Sequence, residues 1–285
     1  MIDKIYIPTV YRPENQITYE NLPKSLQDIT VLVVQEWERP QYKYDCEYIV
    51  LPPEIKVGDY MCLPKTRDFI YKYARKEKYA VIDDDIVVVR RNSKYSTGVS
   101  DMETSRRLGH EEDVLEMFEL LSEWLDEPEV SFTGPSQIQN PPRGSLYAKN
   151  TSISSMVFFN GPNFDADLDS LPTLEVRYAE DVLFFLSLLS KGYGNRVSQI
   201  FSIENKSLSS KDLAQGVWDQ TEYDDVWRDH NRIQELFPEF FKVLLDAAGK
   251  RVDGGFRNYG KTSTAWSKCY KSSQREEKDN LLQFF

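Results

Sequence analysis

Two kinds of hydrophobic pattern alternate along the chain. Short runs of consecutive apolar residues, many of them β-branched, predict buried strands. The runs lie at residues 5–7, 29–34, 48–51, 79–82, 86–89, 156–159 and 196–203. Because stretches with helical spacing come between them, the pattern predicts an α/β fold in which helices cover a sheet.

Helices are predicted where apolar residues recur every three or four positions. The predicted helices span residues 65–76, 111–125, 180–191 and 232–248, the last with a break at Pro238. No linker or internal repeat divides the sequence, so we expect one domain over residues 1–285. Its expected parts are a first half (residues 1–97), a second half (residues 130–248) and a C-terminal tail (residues 249–285).

Charge and cysteine content narrow the function classes. The 35 Lys and Arg residues stand against 46 Asp and Glu residues, a formal net charge of −11. This charge argues against a protein that coats nucleic acid, although a local basic strip stays compatible with it. The three cysteines are isolated, which predicts neither a disulfide framework nor a zinc site and favours a reducing, cytoplasmic compartment. We expect no signal peptide and no membrane partner, since the longest apolar stretch, residues 182–189, is too short to span a bilayer.

An acidic triplet, Asp83-Asp84-Asp85, directly follows the predicted strand at residues 79–82. Since side chains alternate along a strand, we expect Asp83 and Asp85 to point one way and Asp84 the other. Ligands of open α/β sheets bind at the carboxyl ends of strands. Carboxylates there suit a hard cation such as Mg²⁺ or Mn²⁺ together with diphosphate oxygens. The alternative is an acidic turn between two strands.

A second acidic pair, Glu180-Asp181, begins the predicted helix at residues 180–191. The helix dipole favours acidic residues in a first turn, and this alone explains the pair. The same dipole keeps a carboxylate ionised, as a general base that takes a proton from an alcohol requires. Neighbours on a helix do not share a face, so either residue is a candidate for that base.

The tail is basic and aromatic although the whole chain is acidic. Residues 249–275 carry seven Lys and Arg residues against one acid, Asp253. Cations interleaved with aromatic rings suit phosphate contact and base stacking, with Lys261, Trp266 and Lys268 as candidate DNA or phosphate contacts. The alternatives are a solvated tail whose rings dock on the core, and a segment that closes over a sugar-nucleotide diphosphate.

Together these features resemble the GT-A glycosyltransferases. The triplet resembles their Asp-x-Asp motif, and Glu180-Asp181 followed by Lys191-Gly192-Tyr193 resembles their Glu-Asp…Gly helix. More narrowly, the chain resembles the TET-associated glycosyltransferases of phages, relatives of the base-J glucosyltransferase. The segments that carry this resemblance are Ile5 to Thr9 with Arg12, Val33 to Glu36, Lys65 to Arg67, Val81 to Asp85, Ala179 to Asp181, Gly254-Gly255, Tyr259 to Lys261 and Trp266 to Lys268.

The resemblance implies a GT-A fold, a mixed, mostly parallel sheet with helices on both faces, whose first half holds a UDP-sugar. Asp85 would be the direct ligand of a Mn²⁺ or Mg²⁺ ion, and Asp83 would share that ion or hold the ribose. Glu36 would contact the uracil, and Arg67 would face the nucleotide or its diphosphate. The implied nucleotide-sugar-binding residues are Thr9, Arg12, Glu36, Arg67, Asp83 and Asp84.

The resemblance also implies a hexosyltransferase. Asp181, or Glu180, would activate the acceptor hydroxyl, and a single displacement would invert the anomeric centre. The acceptor would be a 5-hydroxymethyl pyrimidine in DNA and the sugar glucose, and a base in a duplex would have to leave the stack. Candidates for holding the base are Trp218, Tyr223, Trp266 and Tyr270.

The chain departs from the family pattern in two places. Because the middle residue of the triplet, Asp84, is also acidic, Asp84 with another acid is an alternative ligand pair. No histidine is assigned as a C-terminal metal ligand, since His230 is expected at a helix start and His110 has no partner in the sequence.

Three other functions fit parts of the sequence. A HAD-type phosphatase would use Asp83 as nucleophile and Asp85 as acid/base. A GT-A enzyme could act on a glycan, lipid or small-molecule acceptor. A DNA-binding module without activity would rely on the basic tail.

Overall fold

The computed structural model of the chain describes residues 1–91, 106–140, 145–206, 223–245 and 261–282. One large sheet and a small two-stranded ribbon account for the strands of these residues. The sheet comprises β1 (Lys4–Pro8), β2 (Thr30–Val34), β3 (Glu47–Val50), β4 (Lys78–Ile82), β5 (Ile86–Arg91), β6 (Arg106–Leu108), β7 (Phe132–Gln137), β8 (Tyr147–Lys149), β9 (Met156–Asn160) and β10 (Asn195–Asn205). The ribbon comprises β11 (Phe241–Val243) and β12 (Thr262–Thr264).

The large sheet is mixed. Its strand order is β3-β2-β1-β4-β9-β7-β10-β5-β6, and β8 also pairs with β10. The strands β3, β2, β1 and β4 are mutually parallel, as are β7 and β10, whereas β9 runs antiparallel to both β4 and β7. The carboxyl ends of the four parallel strands therefore meet at one edge of the sheet.

Helices cover both faces of this sheet. They are α1 (Ile17–Asn21), α2 (Lys24–Gln27), α3 (Cys62–Tyr73), α4 (Glu111–Trp124), α5 (Glu180–Ser190), α6 (Tyr223–Leu236) and α7 (Trp266–Leu282). Side chains of α3, α5, α6 and α7 share one hydrophobic cluster, and those of α1, α2 and α4 share the other. The structure thus confirms the predicted α/β class, with the mixed, helix-flanked sheet expected of a GT-A-type fold.

The central strand β4 shows why its sequence reads as an unbroken apolar run. Tyr79 and Val81 lie in the cluster with α3 and α5, whereas Ala80 and Ile82 lie in the cluster with α4. All four side chains are buried. A strand that is covered on both faces needs apolar residues at every position, so no polar alternation remains.

Each strand predicted from an apolar run is present, and so are the first three predicted helices. The helix predicted over residues 232–248 is present up to Leu236, and its expected break at Pro238 is confirmed, whereas the prediction of helix at residues 241–243 is wrong; residues 246–248 lie outside the described residues. The helix α6 ends at Leu236 because Pro238 follows, which cannot continue a helix, and the chain then forms β11. The tail contains β12 and α7, neither of which was predicted.

Strands of the first and second halves belong to the same sheet. The division of one domain at residues 97 and 130 stays a prediction. Within the described ranges, no helix combines the length and the apolar character needed to cross a membrane.

Candidate active site

A cavity of about 630 Å³ opens at the carboxyl ends of β1, β2 and β4. Its walls come from the loop after β1, from the first turns of α3 and α5, and from the end of β10. Six carboxylates and two guanidinium groups line it, so the cavity is strongly acidic. These charged residues are Glu14, Asp83, Asp84, Asp85, Glu180, Asp181, Arg12 and Arg67.

The strand β4 points the first two acids of the triplet to opposite faces. Asp83 continues the alternation of Tyr79 and Val81 and meets Arg67 of α3, whose Nη2 donates to Asp83 Oδ1 at 2.7 Å. Asp84 continues the alternation of the opposite face and contacts the loop after β1. The expected alternation is therefore confirmed for these two residues.

Arg67 joins the triplet to the second acidic pair. Its Nη2 binds Asp83, and its Nη1 donates to Glu180 Oε1. The side chains of Arg67, Asp83 and Glu180 are 14%, 24% and 12% exposed, respectively. One guanidinium group therefore holds two carboxylates that come from different elements of the fold.

Asp84 fixes the loop after β1. Thr9 Oγ1 donates to its Oδ2 at 2.6 Å, and Arg12 Nη1 donates to its Oδ1. Burial raises the pKa of Asp84 to about 7, against the lowering effects of Arg12 and Thr9. Both carboxylate oxygens are thus occupied within the protein, which disfavours the alternative of Asp84 as a metal ligand.

Asp85 is held more loosely. Asn205 Nδ2 donates to Asp85 Oδ1 at 3.4 Å, and Arg12 Nη1 lies 3.6 Å from Oδ2. Burial, and next the negative charge of Asp83, raise the pKa of Asp85. Mutual repulsion of two carboxylates beside a cavity favours a cation between them.

Glu180 and Asp181 form the first turn of α5. The residue before them, Ala179, caps the helix in the left-handed conformation (φ 55°, ψ 35°). Burial raises the pKa of Glu180 to about 7, against the charge of Arg67, and burial also raises the pKa of Asp181. Asp181 Oδ1 accepts the backbone N–H of Val182 at 2.8 Å.

The position after β2 differs from the expectation. Glu36 is exposed and does not line the cavity, whereas the preceding residue, Gln35, is buried and does. Side chains of consecutive residues here point in different directions, so a shift of one position exchanges the residue that faces the cavity. Gln35 Nε2 has Cys62 Sγ as a distant neighbour at 4.0 Å.

The described part of the tail does not reach the cavity. Trp266 is half-buried against the hydrophobic cluster of α5, and Lys268 lies 3.6 Å from the Glu239 carboxylate. Lys261 is exposed. For Trp266 and also for Tyr270, the structure favours the alternative in which aromatic rings dock on the core.

Several further predictions on the tail and the acceptor aromatics lie outside the described residues. They concern Trp218, the side chain of Tyr223, Gly254-Gly255, and Tyr259-Gly260.

The two histidines take no part in the cavity. His230 lies inside α6, is buried, and packs against Phe241, so its predicted place at a helix start is wrong. His110 is the N-cap of α4, where its backbone N–H donates to Asp113 Oδ2 at 2.8 Å.

Sequence reasoning missed several cavity residues. Tyr11 is 42% exposed, has a φ of 61°, and donates its backbone N–H to the buried Glu38 at 2.5 Å. Asn205, at the end of β10, donates to Asp85 Oδ1, and its Nδ2 also donates to Oγ of Ser155, which lies in the loop before β9. No local motif marks these residues, because strand pairing alone brings them to the triplet.

The donor set for a divalent ion is small. Within the described ranges, no group of three or more His, Cys, Asp and Glu side chains is arranged to hold a metal ion. Asp83 and Asp85 nevertheless offer two carboxylates beside an open cavity. Mg²⁺ is commonly bound by one or two carboxylates plus substrate phosphates, so the residues present fit an ion of that kind.

One comparison with known proteins agrees with this geometry. A family model described as TET-Associated Glycosyltransferase matches residues 3–211, well over half of the chain. A search of the curated proteins found no match.

Proposed function

Because this chain belongs to the TET-associated glycosyltransferase family, we propose that it transfers a sugar, glucose as the first candidate, from a UDP-sugar to the hydroxyl of a 5-hydroxymethyl pyrimidine in DNA. The carrying observation is that two acidic groups, Asp83 with Asp85 and Glu180 with Asp181, line one cavity, where Arg67 pairs with one carboxylate of each group. A transferase of this class needs both, one group for the departing diphosphate and one for the acceptor proton.

The nucleotide half of the donor fits the wall formed by the loop after β1 and the end of β2. The ring of Tyr11 offers a flat surface for a base, and the carboxamide of Gln35 can pair with the polar edge of a pyrimidine. The apolar residues Leu51 and Leu63 also line the cavity. We therefore propose Gln35, in place of Glu36, as the residue that contacts uracil.

Asp83 and Asp85 would hold a Mn²⁺ or Mg²⁺ ion. When bound, such an ion neutralises charge that develops on the leaving diphosphate. Arg12 and Arg67 lie next to these carboxylates and supply further positive charge.

Asp181 is the better candidate for the general base. The carboxylate of Glu180 is paired with Arg67, whereas Asp181 has no ion pair within the described residues. Burial makes Asp181 a stronger base than an ordinary aspartate by raising its pKa. It would accept the proton of the acceptor hydroxyl while that oxygen bonds to the anomeric carbon and the bond from this carbon to the diphosphate breaks. One such displacement inverts the anomeric centre.

The phosphatase hypothesis is weaker. It requires Asp83 as a free nucleophile, whereas the Asp83 carboxylate is bound to Arg67. Family membership likewise favours transfer of a glycosyl group over transfer of a phosphoryl group.

Mass spectrometry of DNA tests the proposal. Oligonucleotides with 5-hydroxymethylcytosine, 5-hydroxymethyluracil or no modification are incubated with Mn²⁺ and a panel of UDP-sugars. We expect the mass of one hexose on a hydroxymethylated strand, no product with EDTA, and at least a hundredfold slower product formation with Asp181→Asn. Asp169→Asn, which removes an exposed carboxylate that pairs with Lys72, is the matched control and should keep full activity.

Three outcomes would contradict parts of the proposal. Full activity in EDTA would reject the metal. Activity that survives in Asp181→Asn and is lost in Glu180→Gln would move the base to Glu180. Transfer to a free sugar or nucleotide, with none to the oligonucleotides, would reject DNA as the acceptor.

A further inference from the structure

The segment that leads into α5 is fixed by a side chain of α6. We propose that Asp229 is a positioning residue that holds Glu180 and Asp181 in place at the cavity. The catalytic consequence of this role rests on the proposed function, whereas the structural role can be measured independently of it.

Asp229 is 2% exposed, and one of its oxygens accepts three hydrogen bonds. Its Oδ2 receives the backbone N–H of Arg177 at 2.9 Å and that of Tyr178 at 2.8 Å. The hydroxyl of Tyr60 donates to the same oxygen at 3.0 Å. A buried carboxylate that collects two main-chain donors from another segment fixes that segment, because each donor would otherwise be left unpaired.

Cationic groups balance the charge of this cluster. Arg228 Nε and Nη2 each lie 3.3 Å from Asp229 Oδ1. The guanidinium carbons of Arg177 and Arg228 both lie 4.9 Å from the centroid of the Tyr60 ring, within the range of cation–π contacts. The Asp229 carboxylate is therefore paired, and its orientation is set from several sides.

The fixed segment carries a strained residue. Arg177 and Tyr178 directly precede Ala179, whose left-handed backbone is unfavourable because the Cβ atom crowds a carbonyl oxygen. Such a conformation persists when its surroundings impose it. Ala179 sets the direction in which α5 begins, so the bonds to Asp229 determine where Glu180 and Asp181 lie.

The same carboxylate also accepts a hydrogen bond from the segment before α3. Tyr60 precedes α3, the helix that carries Arg67, and Arg67 is paired with Glu180 of α5. Asp229 thus braces the starts of both helices that meet at the site. Asp229 lies outside residues 3–211, the part of the chain that the family model matches, so the proposal adds α6 to the elements that position the active site.

Steady-state kinetics with UDP-glucose and a hydroxymethylated oligonucleotide test the catalytic consequence. Asp229→Ala should lower kcat about tenfold to a hundredfold, with KM for UDP-glucose within about twofold, since Tyr11 and Gln35, which are proposed to contact the base, belong to other segments. Asp229→Asn retains an oxygen that can accept the same three bonds and should stay within about threefold of the parent. The control on the same helix is Arg232→Ala, which removes an ion pair to Glu175 at a site 40% exposed and should leave kcat unchanged.

Two results would overturn the positioning role. One is an equal loss of kcat in Asp229→Ala and Arg232→Ala. The other concerns the double variant. When Asp229→Ala is added to Asp181→Asn, kcat should fall no further, because Asp229 acts through the base that Asp181→Asn already removes. A full, multiplicative loss in that background would show that Asp229 acts by another route.

Hydrogen exchange followed by mass spectrometry needs no substrate. The amides of Arg177 and Tyr178 should exchange at least tenfold faster in Asp229→Ala, and at the parental rate in Asp229→Asn and Arg232→Ala. Unchanged exchange in Asp229→Ala would overturn the proposal. If the parent transfers no sugar while Arg177 and Tyr178 still exchange faster in Asp229→Ala than in the parent, the proposed function is rejected and the positioning role is supported.

A second substitution covers the case in which Asp229→Ala does not fold. Tyr60→Phe removes one donor at the same oxygen and should lower kcat severalfold with KM unchanged. An unchanged kcat in Tyr60→Phe would then overturn the bracing of the two helices.

Discussion

Replacing Arg67 with methionine would remove the guanidinium group that joins Asp83 to Glu180. The change keeps a long side chain at this position of α3 but leaves two carboxylates without their cation. Asp85 and Asp181 add to the repulsion, since both also line the cavity. We therefore expect the main effect on the free energy of unfolding.

The magnitude follows from exposure. Hydrogen bonds to charged groups contribute about 1.5–3 kcal/mol each, and removing one partner of a buried ion pair costs about 3–5 kcal/mol. The side chains of Arg67, Asp83 and Glu180 are 12–24% exposed, so solvent screens them in part. Because of this screening, the lower end of the range for a buried ion pair applies, and we expect Arg67→Met to lower the free energy of unfolding by about 3 kcal/mol.

Urea denaturation monitored by tryptophan fluorescence and by circular dichroism measures this loss. Arg232 offers a matched control because it also pairs with two carboxylates, Glu175 and Glu235, while its side chain is 40% exposed. Arg232→Met should cost less than about 1 kcal/mol, as surface ion pairs do. A loss below about 1 kcal/mol in Arg67→Met, or equal losses in the two variants, would refute the reasoning.

Three further predictions concern the metal, the core and the tail. Asp85→Asn should weaken Mn²⁺ binding at least tenfold in calorimetric titrations with UDP present, whereas Asp169→Asn should bind as the parent does; equal affinities would reject Asp85 as a ligand. Gly161→Ala should lower the free energy of unfolding by about 2 kcal/mol, since the new Cβ would lie 2.5 Å from the carbonyl oxygens of Arg75 and Glu77, and an unchanged urea midpoint would contradict that close approach. Lys261→Glu combined with Lys268→Glu should reduce the slope of log K for DNA binding against log[salt] by about 2, and an unchanged slope would exclude these lysines from phosphate contact.

The elements predicted from sequence are those whose pattern is local. The strand β4 and the helix α5 carry long apolar runs, and both are buried among neighbours on several sides. In contrast, β7 contains Gly134 and Pro135, which normally interrupt a strand. Gly134 is required there because a Cβ atom would lie 2.6 Å from the carbonyl oxygen of Met156.

The helix α7 was missed for a different reason. Its sequence is mostly polar, with no broad apolar face, and its place depends on docking against α5. Cys269 Sγ lies 3.6 Å from the carbonyl oxygen of Leu186, and Tyr270 packs against the same cluster. A contact between segments so far apart in sequence leaves no local signal.

The site shows the same division. The place of Asp83 and Glu180 in the fold was predictable, because Asp83 directly follows a strongly patterned strand and Glu180 begins a strongly patterned helix. The choice between Gln35 and Glu36 depends on how the chain turns after β2, which the sequence does not specify. Asp229 was not predictable, since its partners are main-chain N–H groups of a segment far away in the sequence.

The position of β4 between β1 and β9 has a consequence for the growing chain. The parallel strands β1, β2 and β4 leave the ribosome early and can pair once β4 has emerged. The acidic triplet then stands at a sheet edge without β9, α5 or α6, all of which are made later. Pairing of such distant segments is slow because loop closure precedes any gain from contact. The nascent protein therefore carries its triplet before the pocket is complete, and α6, the helix that bears Asp229, is synthesised after both β9 and α5.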